Sequence, residues 1–148
     1  MIVRKTGLRS CKVFEQLQID SYGFVIWSKY EIIRYMLKGL SFYLLLDDRD
    51  ENVVGFIAID YGRKDAYLAN IGIAEQYKSN GYGQKVFDWW IAEGLLRNKQ
   101  TASLHTSVQN HAMLTLAERN GFEPIKTIKD YYVSGYLDGD GMLLQKSL

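Results

Sequence analysis

Three groups of residues in this chain have types and spacings suited to chemistry. The first is QYKSNGYGQ, Gln76 to Gln84, in which Gly81 and Gly83 stand one residue apart directly before a helical pattern. Glycines at a helix start let unpaired backbone N–H groups face outward, where the helix dipole favours an anion. Each dipole contact is worth only ~0.3 to 1 kcal/mol at an exposed site, so a phosphate or pyrophosphate needs several amides together with cations such as Lys78 and Lys85. The second is His105, in the alternating segment ASLHTSV. Leu104, Thr106 and Val108 share one strand face and Ser103, His105 and Ser107 the other, so the imidazole points away from the apolar set. There a group that titrates near neutrality can act as a base, directly or through water. The third is the pair Tyr131 and Tyr132 in the late segment FEPIKTIKDYYV, with Tyr77 and Tyr82 as further phenols that can move a proton. His111, beside Asn110 at a helix start, reads as a surface residue.

Two familiar phosphate-binding patterns fail on these residues. A dinucleotide fingerprint needs a third glycine where this chain has Val86, and the segment before the loop reads as a meander and not as an opening βαβ unit. A P-loop needs Gly-Lys-Ser/Thr, and Gly83 is followed by Gln84. Composition narrows the classes further. Eighteen Lys plus Arg against 17 Asp plus Glu leave no overall cationic field, so nucleic acid is not an expected partner. Trp89 and Trp90 read as a core residue and its margin, not as base-stacking groups, and Lys126 and Lys129 as a solvated face. Cys11 is the only cysteine, which excludes an internal disulfide, and no cysteine–histidine metal cluster is expected. This cysteine usage fits a reducing cytosol. The apolar runs FYLLL and FVIW are far shorter than the ~18 residues of a spanning helix, and MIVRKTGLRS lacks a signal-peptide core, so neither a membrane partner nor export is expected.

The elements that must position these residues follow from periodicity. MIVRK reads as a short strand, and Leu8 to Ile19 as a helix with Cys11, Phe14 and Leu17 on one face. Ser28-Lys29-Tyr30-Glu31 has the capping-box pattern, Trp27 and Ile32 form its staple, and Gly39 closes a helix whose buried stripe is Ile32, Ile33, Met36 and Leu37. SFYLLL, VVGFIAID and AYLANIGIA, separated by the polar DDRDEN and YGRKD, read as an antiparallel meander. After the glycine loop, Val86, Phe87, Trp90, Ile91 and Leu95 recur at helical spacing. ASLHTSV is then a strand, and NHAMLTLAERNGF a short helix with an Asn start and a Gly stop. FEPIKTIKDYYV and MLLQKSL close the chain as strands joined through DGDG. The order β-α-α-β-β-β-α-β-α-β-β predicts one mixed α/β (α+β) domain over residues 1–148. Its sheet is mostly antiparallel, about seven strands with about four helices, and the strands flanking the glycine-loop helix run parallel.

On these residues the chain resembles the GNAT superfamily of N-acetyltransferases. The signature Q/R-x-x-G-x-G/A stands here as Lys78-Ser79-Asn80-Gly81-Tyr82-Gly83, with lysine keeping the charge but not the planar fork of arginine. NHAMLTLAERNGF resembles the family's N-x-x-A-x-x-x-Y-x-x-x-G-F helix, and NIGIAEQYKSNGYG and the chain end look most like the protein N-terminal, ribosomal-protein-alanine type, branch. The resemblance implies acetyl-CoA as co-substrate, in a wedge between a splayed parallel pair of strands. Its pyrophosphate would lie on the amides of Lys78, Ser79, Asn80, Gly81, Tyr82 and Gly83, its pantetheine arm on Ile71 and Ile73, with Asn110 touching the arm from the helix side. It also implies that helices one and two, with the loop SYGFVIWSK, line the acceptor pocket.

The resemblance has one departure that bears on mechanism. Where the family's helix carries a tyrosine as proton source for the leaving thiolate, this chain has Ala117. Losing a general acid costs ~10²- to 10⁴-fold in rate, whereas holding two reactants together is worth ~7 to 11 kcal/mol, so the departure is compatible with an active enzyme. Tyr131 and Tyr132 are the substitutes, and His105 stands where related N-terminal acetyltransferases carry a base. At pH 7 a free α-amine costs about 1.4 kcal/mol to neutralise and a lysine about 4.6, so one weak base suits an α-amine. The expected function is acetyl transfer from acetyl-CoA to a primary amine by direct attack in a ternary complex. The favoured acceptor is a protein or peptide N-terminus, and the chain acts as a monomer or homodimer without a metal. The alternatives are a small-amine acetyltransferase (polyamine, amino sugar or amino acid) and a non-catalytic acyl-CoA-binding module.

Overall fold

The computed structural model of the chain describes residues 1–134 and 137–148. Among these, seven strands and four α-helices follow one another as β1 (Ile2–Thr6), α1 (Cys11–Tyr22), α2 (Lys29–Leu37), β2 (Ser41–Leu46), β3 (Val53–Tyr61), β4 (Asp65–Ile73), α3 (Tyr82–Leu96), β5 (Thr101–Ser107), α4 (His111–Arg119), β6 (Glu123–Ser134) and β7 (Leu137–Ser147). The sheet order is β1-β2-β3-β4-β5-β7-β6. The sheet is mostly antiparallel, as expected, with β4 and β5 as its parallel pair over Asp65↔Thr101 to Leu68↔Leu104. β4 runs on to Ile73 and β5 to Ser107 beyond those four pairs. No helix among the described residues is long and apolar enough to cross a membrane.

The chain forms two compact units, and neither is one continuous stretch: Met1–Tyr61 with Ala69–Val86, and Gly62–Leu68 with Phe87–Leu148. The first unit is built around Phe14, Leu17, Ile32, Phe42, Phe56 and Ala58, each nearly sealed from water. Phe14 sets its edge against Phe42 at 5.1 Å and Phe56 at 5.8 Å, the offset geometry that ring quadrupoles favour. Burying each such side chain stabilises by ~1.5 to 3 kcal/mol. The capping box forms as the sequence predicts: Ser28 Oγ accepts from the Glu31 amide and Glu31 Oε2 accepts from the Ser28 amide at 2.9 Å. Trp27 packs on the same core as Ile32, completing the staple, and Gly39 takes φ +101° just past the helix end.

The second unit is organised on Phe87, Trp90 and Phe122, with Trp90 stacked on Phe122 at 5.2 Å. Trp90 is fully buried and Trp89 half-buried, in line with packing and not with base stacking. Lys126 and Lys129 are exposed.

Four local expectations are corrected. Leu37 is 73% exposed and Leu95 52%, because each falls at the end of its helix beyond the turn that meets the core; Gly94 is the buried residue of the last turn of α3. Leu8–Ser10 forms a 3-10 turn, and α1 starts at Cys11 and runs to Tyr22. DGDG, Asp138 to Gly141, lies inside β7 and is not the connection; Gly135 and Tyr136, between β6 and β7, lie outside the described residues. The glycines of DGDG serve the pairing instead, Gly139 opposite Tyr132 and Gly141 opposite Ile128.

Candidate active site

The glycine loop belongs to the first unit. A 3-10 turn at Glu75–Tyr77 leads from β4 into it, and the backbone then adopts positive φ at Ser79 (62°) and Gly81 (79°) before α3 begins at Tyr82. Left-handed residues two apart turn successive amides to one side, the concave arrangement that holds phosphate oxygens. The Lys85 amide donates to the Gly81 carbonyl at 3.2 Å, so Gly81 caps α3, and the amides of Tyr82 and Gly83 open the helix with no acceptor within it. Asn80 Nδ2 braces the loop from within by donating to the carbonyls of Tyr77 and Lys78 at 3.2 and 3.0 Å. Lys78 Nζ donates to the Ser21 carbonyl at 2.7 Å in the last turn of α1, where the helix dipole favours a cation, and pairs with Glu75.

Tyr82 turns its side chain inward. Its hydroxyl donates to Asp47 Oδ2, and Asp47 also receives Arg49 Nε at 3.0 Å and Nη2 at 2.9 Å. These bonds, that of Arg49 first, hold the Asp47 carboxyl well below the usual carboxylate range, and its hydrogen bond to Asp47 raises the Tyr82 phenol. The phenol therefore anchors the loop and is not placed as a proton carrier, whereas the Tyr82 main chain remains with the loop amides. Tyr77 sets its ring edge-on to Tyr82 at 6.2 Å.

Ile71 and Ile73 lie on the last stretch of β4, both half-buried. Two contacts fix that stretch against α1. Tyr22 Oη lies 2.7 Å from the Ile71 carbonyl and 2.7 Å from Asn70 Oδ1, and burial pushes this phenol far up. Gly72 sits so close to α1 and β3 that a Cβ would stand 2.5 Å from the Phe56 ring and 2.7 Å from Ser21 Oγ, so only glycine fits there. The backbone of 71–73, which the resemblance assigns to the pantetheine arm, is thereby held by side chains in its own unit.

The proton-handling candidates lie together in the second unit. His105 Nδ1 is 3.0 Å from Tyr67 Oη, and the His105 ring lies 4.9 Å from the Tyr131 ring at an angle of 9°, a stack. Tyr131 meets Tyr132 edge-on at 4.9 Å. The placement has a backbone cause: the β6–β7 register shifts between Ile128 and Tyr132, Asp130 takes φ +51°, and its amide donates to Asp140 Oδ1 at 2.9 Å. This bulge lays the Tyr131 ring over Gly141, where a Cβ would stand 2.7 Å from the ring's Cγ. Burial, and secondarily the Lys126 cation, lowers the His105 pKa, favouring the neutral imidazole a base must be. Burial pushes the Tyr132 phenol up to about 12, and burial followed by the Tyr131 neighbourhood raises Tyr67 further still.

Of the residues singled out by sequence, the structure thus brings His105, Tyr131 and Tyr132 together, and gathers Lys78, Ser79, Asn80, Gly81, Tyr82 and Gly83 in one loop. Asn110 caps α4, its Oδ1 accepting from the Met113 amide at 3.2 Å. His111 is exposed, and Ala117 is fully buried. Sequence reasoning missed Tyr67 and Tyr22, two of eleven tyrosines. The signal for Tyr67 was its position on the strand that runs parallel to that of His105, facing Ser103 in the register. Among the described residues no group of three or more His, Cys, Asp or Glu is placed to hold a metal ion.

The comparisons with known proteins bear on the family and the fold. Residues 11–122, about three quarters of the chain, match the family model described as Acetyltransferase (GNAT) family. A Bacillus subtilis (strain 168) protein provisionally named a ribosomal protein bS18-alanine N-acetyltransferase is 24% identical over 106 residues, which cover 72% of this chain and 70% of that protein. Among solved structures, the ribosomal-protein-S18-alanine N-acetyltransferase from Escherichia coli superposes with a TM-score of 0.87 at 18% identity, covering 99% of this chain and 92% of that one. The spermidine/spermine N-acetyltransferase from Vibrio cholerae gives 0.78 at 16% identity, covering 99% and 91%. At such identities the superpositions establish a shared fold. Taken with the match over residues 11–122, they show that the chain belongs to the acetyltransferase (GNAT) family of enzymes.

Proposed function

We propose that residues 1–148 act as one catalytic domain that transfers an acetyl group from acetyl-CoA to the α-amine of a protein or peptide N-terminus, by direct attack within a ternary complex. The observation that carries this reading is the Tyr67–His105–Tyr131 assembly. With its proton on Nδ1 the imidazole donates to Tyr67 Oη, and Nε2 keeps its lone pair as the base. The Tyr131 ring, fixed over Gly141, holds the imidazole plane by stacking. A neutral imidazole of lowered pKa is a weak base, matched to an α-amine at a cost of about 1.4 kcal/mol and poorly matched to a lysine at about 4.6. The names of the Bacillus subtilis and Escherichia coli relatives, both referring to a ribosomal-protein alanine, support the same acceptor class.

The residues present fit the co-substrate. The two left-handed positions and the opening amides of α3 offer Lys78 to Gly83 as the hold on a pyrophosphate. The main chain of Ile71 and Ile73 would take the pantetheine arm, and Asn110, whose Oδ1 is used in capping, would offer Nδ2. Acetyl-CoA supplies the activated thioester. Tyr131, 41% exposed, is assigned proton donation to the leaving thiolate in place of the tyrosine replaced by Ala117. Tyr132, whose phenol keeps its proton at neutral pH, serves as a hydrogen-bond donor that orients the acceptor. We place the reaction in the cytosol, in keeping with the single cysteine.

Thiol release from acetyl-CoA, followed with a peptide bearing a free N-terminus, with an α-blocked lysine peptide and with polyamines, tests this reading. The expected result is turnover with the first at a kcat/KM at least tenfold above the others, reduced ~10²- to 10⁴-fold in His105→Ala. Exclusive turnover with lysine or polyamine would refute the proposed acceptor.

A further inference from the structure

Gln18 is among the most buried polar side chains of the described residues, 1% exposed on the core face of α1, a place where an apolar residue would cost less. All of its hydrogen-bonding capacity is used. Oε1 accepts from the amides of Ile26 at 3.1 Å and Trp27 at 2.8 Å, while Nε2 donates to the carbonyls of Trp27 at 2.8 Å and Phe14 at 3.3 Å. Two acceptor sites and two donor hydrogens are what a carboxamide has, and turning it over would set donors against donors, so its orientation is fixed. Three of the four bonds go to one short segment, the loop between α1 and α2. That loop leaves α1 at Gly23, where φ is +84°, and enters α2 at the Ser28 cap.

One helical turn further along α1, Tyr22 reaches the Ile71 carbonyl of β4, and Ser21 abuts Gly72. Residues 18 and 22 lie on neighbouring positions of the helix surface. α1 is thus a bracket with one side chain holding the loop and another holding the strand, both within the first unit. Between the two fastenings the loop presents half-buried Phe24 and Val25 and exposed Ile26.

We infer that Gln18 is a positioning residue for the acceptor: by holding the Gly23–Ser28 loop it fixes the wall against which the amine substrate is selected, without touching the acetyl donor. This rests on the proposed acetyl transfer and on the acceptor-lining role that the family resemblance implies for the α1–α2 loop, but not on which amine is accepted. A residue that served stability alone would change acceptor and donor binding together, through the folded fraction, whereas a positioning residue separates them.

The test is Gln18→Met, which keeps the length and removes the four bonds, beside Gln18→Glu, whose neutral carboxyl keeps an oxygen for the two loop amides and an O–H for the Trp27 carbonyl. Amide hydrogen exchange at Ile26 and Trp27 is read without turnover, acceptor KM with the best amine found for the wild type, and coenzyme A affinity by calorimetry. The expected result for Gln18→Met is faster exchange at both amides, acceptor KM raised tenfold or more, and coenzyme A affinity within twofold of wild type. Gln18→Glu at mildly acidic pH should recover most of the exchange protection and KM, and it carries the comparison if Gln18→Met does not fold. Unchanged exchange, or a released loop with unchanged acceptor KM, would overturn the inference. A wild type that uses only a small amine would sink the proposed acceptor class alone, because KM for that amine then reads the role of Gln18.

Discussion

His105 owes its chemistry to three neighbours that are far from it in sequence. Tyr67 sets one ring nitrogen, Tyr131 covers one ring face, and burial with the Lys126 cation lowers its proton affinity. In a two-histidine protein this is directly readable: the His105 ring resonance should titrate below 6.5, the ordinary histidine value, and its midpoint should move upward in Lys126→Ala once the exposed cation is gone. A midpoint that does not respond would remove Lys126 from the account. Tyr67→Phe deletes one hydrogen bond and leaves the ring, so kcat should fall about 3- to 10-fold, the equivalent of a bond worth ~1 kcal/mol. Steady-state kinetics with saturating acceptor checks this. Sequence could flag His105 from its alternation against Leu104 and Thr106, but not Tyr67, because nothing local distinguishes a strand tyrosine that meets a histidine from one that fills a core.

Elements whose boundaries are written in local chemistry were the legible ones. The Ser28/Glu31 box, the Trp27/Ile32 staple and the glycine after α2 are each decided within a few residues, and each formed as expected. The misread positions depend on partners elsewhere in the chain. Leu37 and Leu95 continue an apolar periodicity past the point where the helix meets a core, and DGDG has turn chemistry but is spent on close backbone approach beneath Tyr131. The glycine loop was legible as a tight bend opening a helix, while its bracing by Asn80, Lys78 and the Tyr82–Asp47 bond was not. At Gly81 the constraint is conformational alone, since a Cβ there meets nothing within 4 Å. Gly81→Ala should therefore cost about 1 to 2 kcal/mol of stability and weaken coenzyme A binding, and Gly81→Asn, which tolerates the left-handed region, should cost less. Thermal denaturation paired with calorimetric titration separates the two effects; equal losses in both variants would contradict the conformational explanation.

At the scale of the whole molecule, the order β-α-α-β-β-β-α-β-α-β-β was enough to specify a mixed sheet with one parallel pair, because a strand, helix and strand crossover admits few topologies. Asp47 and His105 are two of the groups that tie this fold to pH. Asp47 has its native pKa depressed by Arg49 and Tyr82, so its stabilising contribution is present above the ordinary carboxylate value and is lost as pH falls through the depressed one. His105, also depressed, contributes above about 6.5 and loses that contribution as pH falls below it. Both signs agree, so the melting temperature should decline on acidification in two steps, the upper removed in His105→Gln and the lower reduced in Asp47→Asn; a melting temperature that rises as pH falls just below about 6 would refute the His105 assignment, and one that rises as pH falls below about 4 the Asp47 assignment. The measurement that bears most directly on the central claim uses one peptide carrying a free N-terminal amine and an internal lysine, incubated with the protein and acetyl-CoA and sequenced by tandem mass spectrometry. The account predicts a single acetyl group on the α-nitrogen, and an acetyl group confined to the lysine side chain would contradict it.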